Sequence, residues 1–200
     1  MSPTTDVHPG LRLAPIDRPP TLLLRLVGFI FRRRFGKVMM PLRVLHARMP
    51  GYLWPYLWLI RFSESGLSLP EAIRHLVPLQ VSRLNGCDFC ADLHEAVALD
   101  AGQPGELLAA LDQLETSRRF DDRTRAALRY ATEVTRDRNA SDETFDALRV
   151  HFDERQIVEL VWLVAFTIQH NLIARPLGLQ SDGFCDLAAE RARRQLPAAT

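Results

Sequence analysis

The stretch that most constrains the fold runs from Glu154 to Ala174. Ile157, Val158, Leu160, Val161, Trp162, Leu163, Val164, Phe166, Ile168, Leu172 and Ile173 leave it apolar on nearly every side. A helix of that kind has to be enclosed, by other helices or by a neighbouring subunit. Glu159 and His170 interrupt it and polar residues bound it closely, so a central helix is expected rather than a membrane span. His170, alone on this apolar helix, reads as a hydrogen-bonded core histidine, with a place in a redox site as the alternative. Elsewhere helical periodicities alternate with short connections and no strand signal of any length appears. The expected fold class is therefore all-α, a helical bundle forming a single domain.

Two hundred residues with 47% hydrophobic content can bury a sizeable core, and a net charge of +1 selects neither nucleic acid nor a membrane surface. Arg119, Arg123, Arg125 and Arg129 lack interleaved aromatics, and a solvated face with carboxylate partners is expected of them. Residues 1–37 read as an appendage to a helical domain over 38–200. Pro3, Pro9, Pro15, Pro19 and Pro20 make the first twenty residues an extended arm. Thr21 to Phe31 then forms a short apolar helix trailed by Arg32, Arg33, Arg34 and Lys37, expected to pack on the domain or a neighbouring subunit rather than on a membrane. Between 38 and 63, Pro41, Pro50 and Pro55 divide two short helices around Met49-Pro50-Gly51. Tyr52, Trp54, Tyr56, Trp58 and Phe62 are expected in the core rather than around a substrate pocket, and His46 at the surface or satisfied.

Ser68-Leu69-Pro70-Glu71 has the spacing of a capping box opening a helix to about Leu84, which Pro78 should kink. Ser141, Asp121 or Asp122, and Asp153 with Gln156 mark later helix starts, Pro104 to Leu114 is a short helix, and Gly102 is a stop. Three cysteines do not make a secreted disulfide framework, so a reducing, cytoplasmic setting is expected. Cys185, in a final helix with Arg191, Arg193 and Arg194, reads as an idle thiol.

The chemistry concentrates in Asn85-Gly86-Cys87-Asp88-Phe89-Cys90-Ala91-Asp92-Leu93-His94. Asn85-Gly86 breaks one helix and a second starts near Cys87, which puts the first cysteine at or beside a helix N-terminus. At about 100° per residue Cys87, Cys90 and His94 share one half-buried stripe, while Asp88, Asp92 and Glu95 should face water. Unpaired N–H groups and the helix dipole favour a thiolate there, and an imidazole one turn on can take or return its proton. Two thiols one turn apart can also close a disulfide, one attacking an oxidant and the other resolving it. Three clustered ligands fall short of a structural zinc site, Ala91 stands where haem attachment would need histidine, and the thioredoxin reading needs a βαβ context. No metal or cofactor is expected.

The run Arg83-Leu84-Asn85-Gly86-Cys87-Asp88-Phe89-Cys90 followed by His94 resembles the core motif of AhpD-like alkylhydroperoxidases, within the carboxymuconolactone decarboxylase superfamily. Arg125 to Ala131, Phe145 to Phe152, Ile157 to Val161 and Asn171-Leu172 resemble the helices that follow it, so the likeness covers roughly residues 40 to 180. It implies a peroxidase in which Cys90 attacks a hydrogen or organic peroxide, Cys87 is the disulfide partner and proton donor, and His94 serves the proton relay. An external dithiol or protein reductant would restore the pair. It also implies a homo-oligomer, trimeric or hexameric. The family pattern places a glutamate twelve residues before the first cysteine, and here that position is His75. His75 could serve as the base, or Glu71 one turn earlier could reach inward, although a capping role would occupy Glu71. Two other readings remain open: a redox-sensing or interaction protein that uses the disulfide as a switch, and a lactone decarboxylase, against which the cysteine pair weighs.

Overall fold

The apolar stretch becomes α8 (Glu154–Ala174), opened by Asp153, whose side chain accepts the Gln156 N–H at 2.8 Å. The structure is a computed structural model and describes residues 10–188. Before α8 come α1 (Leu22–Phe35), α2 (Leu53–Ser65), α3 (Glu71–Leu84), α4 (Asp88–Asp100), α5 (Gly105–Ala109), α6 (Asp122–Asp137) and α7 (Asp142–His151), and no strand occurs among the described residues. The fold is all-α. Leu42–His46 forms a π-helical turn, Pro50–Tyr52 a 3₁₀ turn leading into α2, and 184–188 a last helical turn.

The centre is the layer of α3, α6 and α8. Ile73, Leu76, Leu79, Leu128, Leu160 and Leu163 are almost fully excluded from solvent there. Burying side chains of that size contributes roughly 1.5–3 kcal/mol each. Among the described residues α8 is the one helix whose length and composition would allow it to cross a membrane, and half of its most apolar stretch is buried inside the bundle. Its opposite side leaves Val158 and Leu172 in solvent. Asp121 and Ser141 cap α6 and α7 by accepting the N–H groups of Thr124 and Thr144.

Several local expectations need correction. Ser68 does not cap α3: Pro70 holds the cap position, and the Ser68 N–H and hydroxyl both donate to Glu159 on α8, at 2.6 and 2.9 Å. Glu159 also accepts from Arg155 at 2.8 Å. Burial alone would raise the pKa of this carboxyl, but the bonds from Arg155 and Ser68 overcome it and hold the group below its usual value. Trp54 and Trp58 are not core residues, because α2 covers the bundle with its other side and leaves them 70% and 61% exposed. Of the four arginines, Arg119 and Arg129 pair with Glu106 and Glu115. Arg123 lies over Phe152 and donates to Gln156, whereas Arg125 spends its guanidinium on loop carbonyls including that of Ser117. The early arm residues Pro3 and Pro9, and Arg191, Arg193 and Arg194 of the expected last helix, lie outside the described residues.

Candidate redox site

Cys87 occupies the N-cap position of α4 and makes no side-chain capping bond, and Cys90 falls in the first turn. Their sulfurs are joined, with the two Cα atoms 5.3 Å apart. The approach to the pair is fixed by polar contacts rather than by packing alone. Gly86 takes φ of +60°, a conformation that favours glycine, and the Cys87 N–H then donates to the Ser82 carbonyl at 3.0 Å. Behind this turn the Asn85 amide donates to Asn171 of α8 at 2.8 Å, and Asn171 donates to the Ser82 hydroxyl at 3.2 Å. Asn171 is 1% exposed. A buried amide with both ends satisfied thus ties the motif turn to the central helix.

The sulfurs sit in a second apolar cluster with Met39, Met40, Val44, Phe89, Ala96, Ala174, Leu179 and Phe184. Cys87 and Cys90 are 1% and 4% exposed, enclosed by side chains that include Met39, Met40 and Val44 and, from the C-terminal turn, Phe184. A cavity of about 620 Å³ lies between α1 and residues 37–43, away from the disulfide. The two regions share Met40 as a wall.

His94 comes one turn after Cys90 on α4. Part of its surface reaches solvent, but burial, then the neighbouring His170 and His75, push its pKa down to about 3, so the ring is neutral at pH 7. His75 lies on α3 with Nε2 3.8 Å from the Glu71 carboxylate. Burial lowers the pKa of His75, and Glu71 acts against that shift. Glu71 itself, the first residue of α3, has a side chain 61% exposed, turned to His75 rather than into the core. The structure therefore groups Cys87, Cys90 and His94 on α4, sets His75 close enough to be felt by His94, and leaves Glu71 on the rim.

The expected watery acidic face of α4 holds only for Asp88. Asp92 accepts the N–H groups of Phe184 and Cys185 at 3.0 and 2.8 Å, and Glu95 pairs with Arg83 at 3.0 Å. A C-terminal segment covers this side, which periodicity within α4 had no means of signalling. Cys185 is a free thiol whose pKa is raised to about 11 by burial and then by Glu95, Asp92 and Asp186.

His46 is the residue sequence reasoning misplaced most. It is 1% exposed and neither ring nitrogen has a hydrogen-bond partner. Burial and then His170 lower its pKa to about 4. Its ring stacks on Tyr52 and lies 4.9 Å from Tyr56, which in turn lies 5.2 Å from His170. His170 is hydrogen-bonded as expected, through Nδ1 to the Phe166 carbonyl at 2.8 Å, and its ring packs edge-on against Tyr56, which also faces His46. No signal in the sequence links positions 46 and 170.

A helical bundle with a paired C-x-x-C at a helix N-terminus and a neutral histidine one turn on defines a class of dithiol protein. Comparison with known proteins narrows it. Residues 52–133 match the Carboxymuconolactone decarboxylase family. The chain is 29% identical over 185 residues to the uncharacterized protein YnjA of Escherichia coli K12, spanning 90% of this chain and 98% of that one. A crystal structure of an Agrobacterium tumefaciens protein of unknown function, put forward as the antioxidant defence protein AhpD, is 26% identical and superposes with a TM-score of 0.64 over 70% of this chain and 97% of that one. An uncharacterized peroxidase-related protein from Silicibacter sp. TM1040 shares the fold at 19% identity and a TM-score of 0.75, over 91% and 97% of the two chains. Over residues 52–133 the chain is thus similar to the Carboxymuconolactone decarboxylase family, and it shares the helical fold of the AhpD-like structures.

Proposed function

We propose that the protein is a thiol-dependent peroxidase acting on hydrogen or organic peroxides. The observation that carries this reading is the Cys87–Cys90 pair at the uncapped start of α4 with a neutral imidazole one turn on. In the dithiol form the Cys90 proton passes to His94, leaving a thiolate favoured by the first-turn N–H groups. The thiolate attacks the distal peroxide oxygen, the O–O bond breaks, and the leaving alkoxide takes the proton back as alcohol. Cys87 then attacks the Cys90 sulfenic acid, forming the disulfide and releasing water. An external dithiol or protein reductant supplies the two electrons that reopen it. His75, with Glu71 at its back, tunes His94 from the α3 side. A homo-oligomer, trimeric or hexameric, would cover the apolar surface left by Trp54, Trp58, Val158 and Leu172.

Replacing Cys90 with Ser abolishes peroxide consumption by this scheme while the circular dichroism spectrum and melting point stay close to those of the parent. Peroxide turnover at the parental rate in Cys90→Ser would dispose of the assignment.

A further inference from the structure

The proposed chemistry makes no use of the cavity between α1 and residues 37–43, whose volume of about 620 Å³ is that of a small-molecule site. The N-terminal arm supplies part of its wall through Leu11, Ile16 and Pro19. Three contacts hold the arm there. The Arg12 N–H donates to the Leu177 carbonyl at 3.1 Å, the Ile16 N–H to the Arg43 carbonyl at 2.9 Å, and the Arg48 guanidinium to the Ala14 carbonyl at 2.8 Å. Across the cavity, the Asp182 carboxylate accepts the Met40 N–H at 3.0 Å. The lining is most enclosed where it is apolar, at Leu24, Met40 and Leu42. From α1 it takes Arg25, Gly28, Phe29 and Arg32, which fall at i, i+3, i+4 and i+7 on one stripe. We propose that this cavity binds a single-chain anionic amphiphile of the fatty-acid class, its carboxylate paired with Arg32 and its alkyl chain lying along Leu24, Met40 and Leu42.

Gly28 argues that the space is built. Glycine inside a helix is destabilising relative to alanine. Nothing in the fold demands one here, since Gly28 is not left-handed and a Cβ would meet only the Val38 methyls, at 3.7 and 3.9 Å. What a longer side chain would do at this buried position is fill the cavity. The charges argue for the head group. Arg25, Arg32, Lys37 and Arg43 line the cavity against two carboxylates, Asp17 and Asp182. Arg43 is paired with Asp17, and Lys37 lies over the Phe184 ring. Arg25 donates through Nε to the Pro19 carbonyl at 3.0 Å, and neither it nor Arg32 has a carboxylate partner among the described residues. α1 carries no acidic residue of its own. An exposed guanidinium takes a carboxylate through two parallel N–H bonds, with Arg25 adding positive potential from two turns earlier. A small inorganic anion would leave the apolar lining unfilled, and an uncharged chain would leave the arginines unanswered. Met40 also belongs to the apolar cluster around the sulfurs, so the chain lies against the wall that the two regions share.

The inference stands on the cavity and not on the peroxidase reading, and its test involves no redox step. The full chain is titrated by calorimetry with dodecanoate, dodecyltrimethylammonium and acetate, each below its micelle concentration. One dodecanoate should bind per chain, at least about tenfold tighter than dodecyltrimethylammonium, and acetate should give no binding heat. Arg32→Ala should weaken dodecanoate by about tenfold. Gly28→Leu, which improves the helix and fills the space, should weaken it by at least as much. Leu22→Ser should leave it unchanged, because Leu22 is 80% exposed and lies outside the cavity. No uptake of dodecanoate by the parent, equal affinity for the cationic chain, or unchanged affinity in a folded Gly28→Leu each overturns the inference. If Gly28→Leu does not fold, the head-group comparison on the parent and Arg32→Ala decide alone. Co-sedimentation with anionic vesicles without uptake of dodecanoate would assign lipid to the exposed Leu22, Leu26 and Ile30 side of α1, and it too overturns the inference. Dodecanoate binding in a protein that consumes no peroxide leaves the inference standing and removes only the peroxidase reading.

Discussion

Cys90 and Cys185 each begin a helical turn, yet the two starts are electrically opposite. At the head of α4 no side chain caps the first-turn N–H groups, apolar residues surround the sulfur, and a neutral histidine follows one turn on. At 184–188 the carboxylate of Asp92 already accepts the N–H groups of Phe184 and Cys185, and Glu95 and Asp186 add negative charge. Burial and those carboxylates lift the Cys185 thiol to about 11. A helix N-terminus activates a thiol only when its amides are not already satisfied by an anion.

The widest gap follows directly. In reduced protein at pH 7, iodoacetamide should modify Cys90 on the order of 100-fold faster than Cys185, because almost none of the latter is thiolate. Equal rates by peptide mass spectrometry would erase the distinction between the two starts.

A smaller effect comes from the clamp that only the Cys87 side possesses. Asn171→Ala leaves the Asn85 amide and the Ser82 hydroxyl without their partner beneath the motif turn. The cost should be about 1–3 kcal/mol in urea unfolding, and Cys90 alkylation should change while that of Cys185 does not. A denaturation midpoint equal to the parent's would mean the amide is ornamental.

Acid probes the histidine side alone. His46 and His94 have folded pKa values near 4 and 3, below the ordinary 6.5. The unfolded chain therefore binds more protons below pH 6.5, and the stability these neutral rings contribute is present above that pH and lost as pH falls toward 4. Each ring should cost about 1.4 kcal/mol per pH unit in that window. Urea midpoints measured from pH 7 to 5 should fall, and the fall should be shallower in His46→Phe. A slope unaffected by that substitution would show that the buried ring is not what titrates.

How far these features could be read from sequence follows from their range. The C-x-x-C at the head of α4 and the all-round apolar α8 are local patterns, and the helix starts at Asp121, Ser141 and Asp153 rest on bonds three residues long. Ser68 shows where such reading fails. Its spacing to Glu71 satisfied a local rule, but Glu159, ninety-one residues away, took both its donors. His46 and Asp92 fail likewise, since His46 is enclosed and Asp92 meets Cys185 only through the folding of distant segments onto one another.

The finest test alters one charge on the Cys185 side. Glu95 lies between Arg83 and the Cys185 thiol and is the second cause, after burial, of that thiol's high pKa. Glu95→Gln keeps the shape and removes the charge, so the Cys185 profile should move to lower pH and its alkylation at pH 8 should quicken by a factor of a few. The move is partial because burial, the larger cause, persists. Stability should change by less than about 1 kcal/mol, since the ion pair is partly exposed and Arg83 still donates to the Leu108 carbonyl at 2.9 Å. Cys90 should react as before, because Glu95 lies on the other side of α4. If Cys185 kept its profile, its inertness would come from enclosure alone, and the electrical half of the contrast between the two helix starts would have to be abandoned.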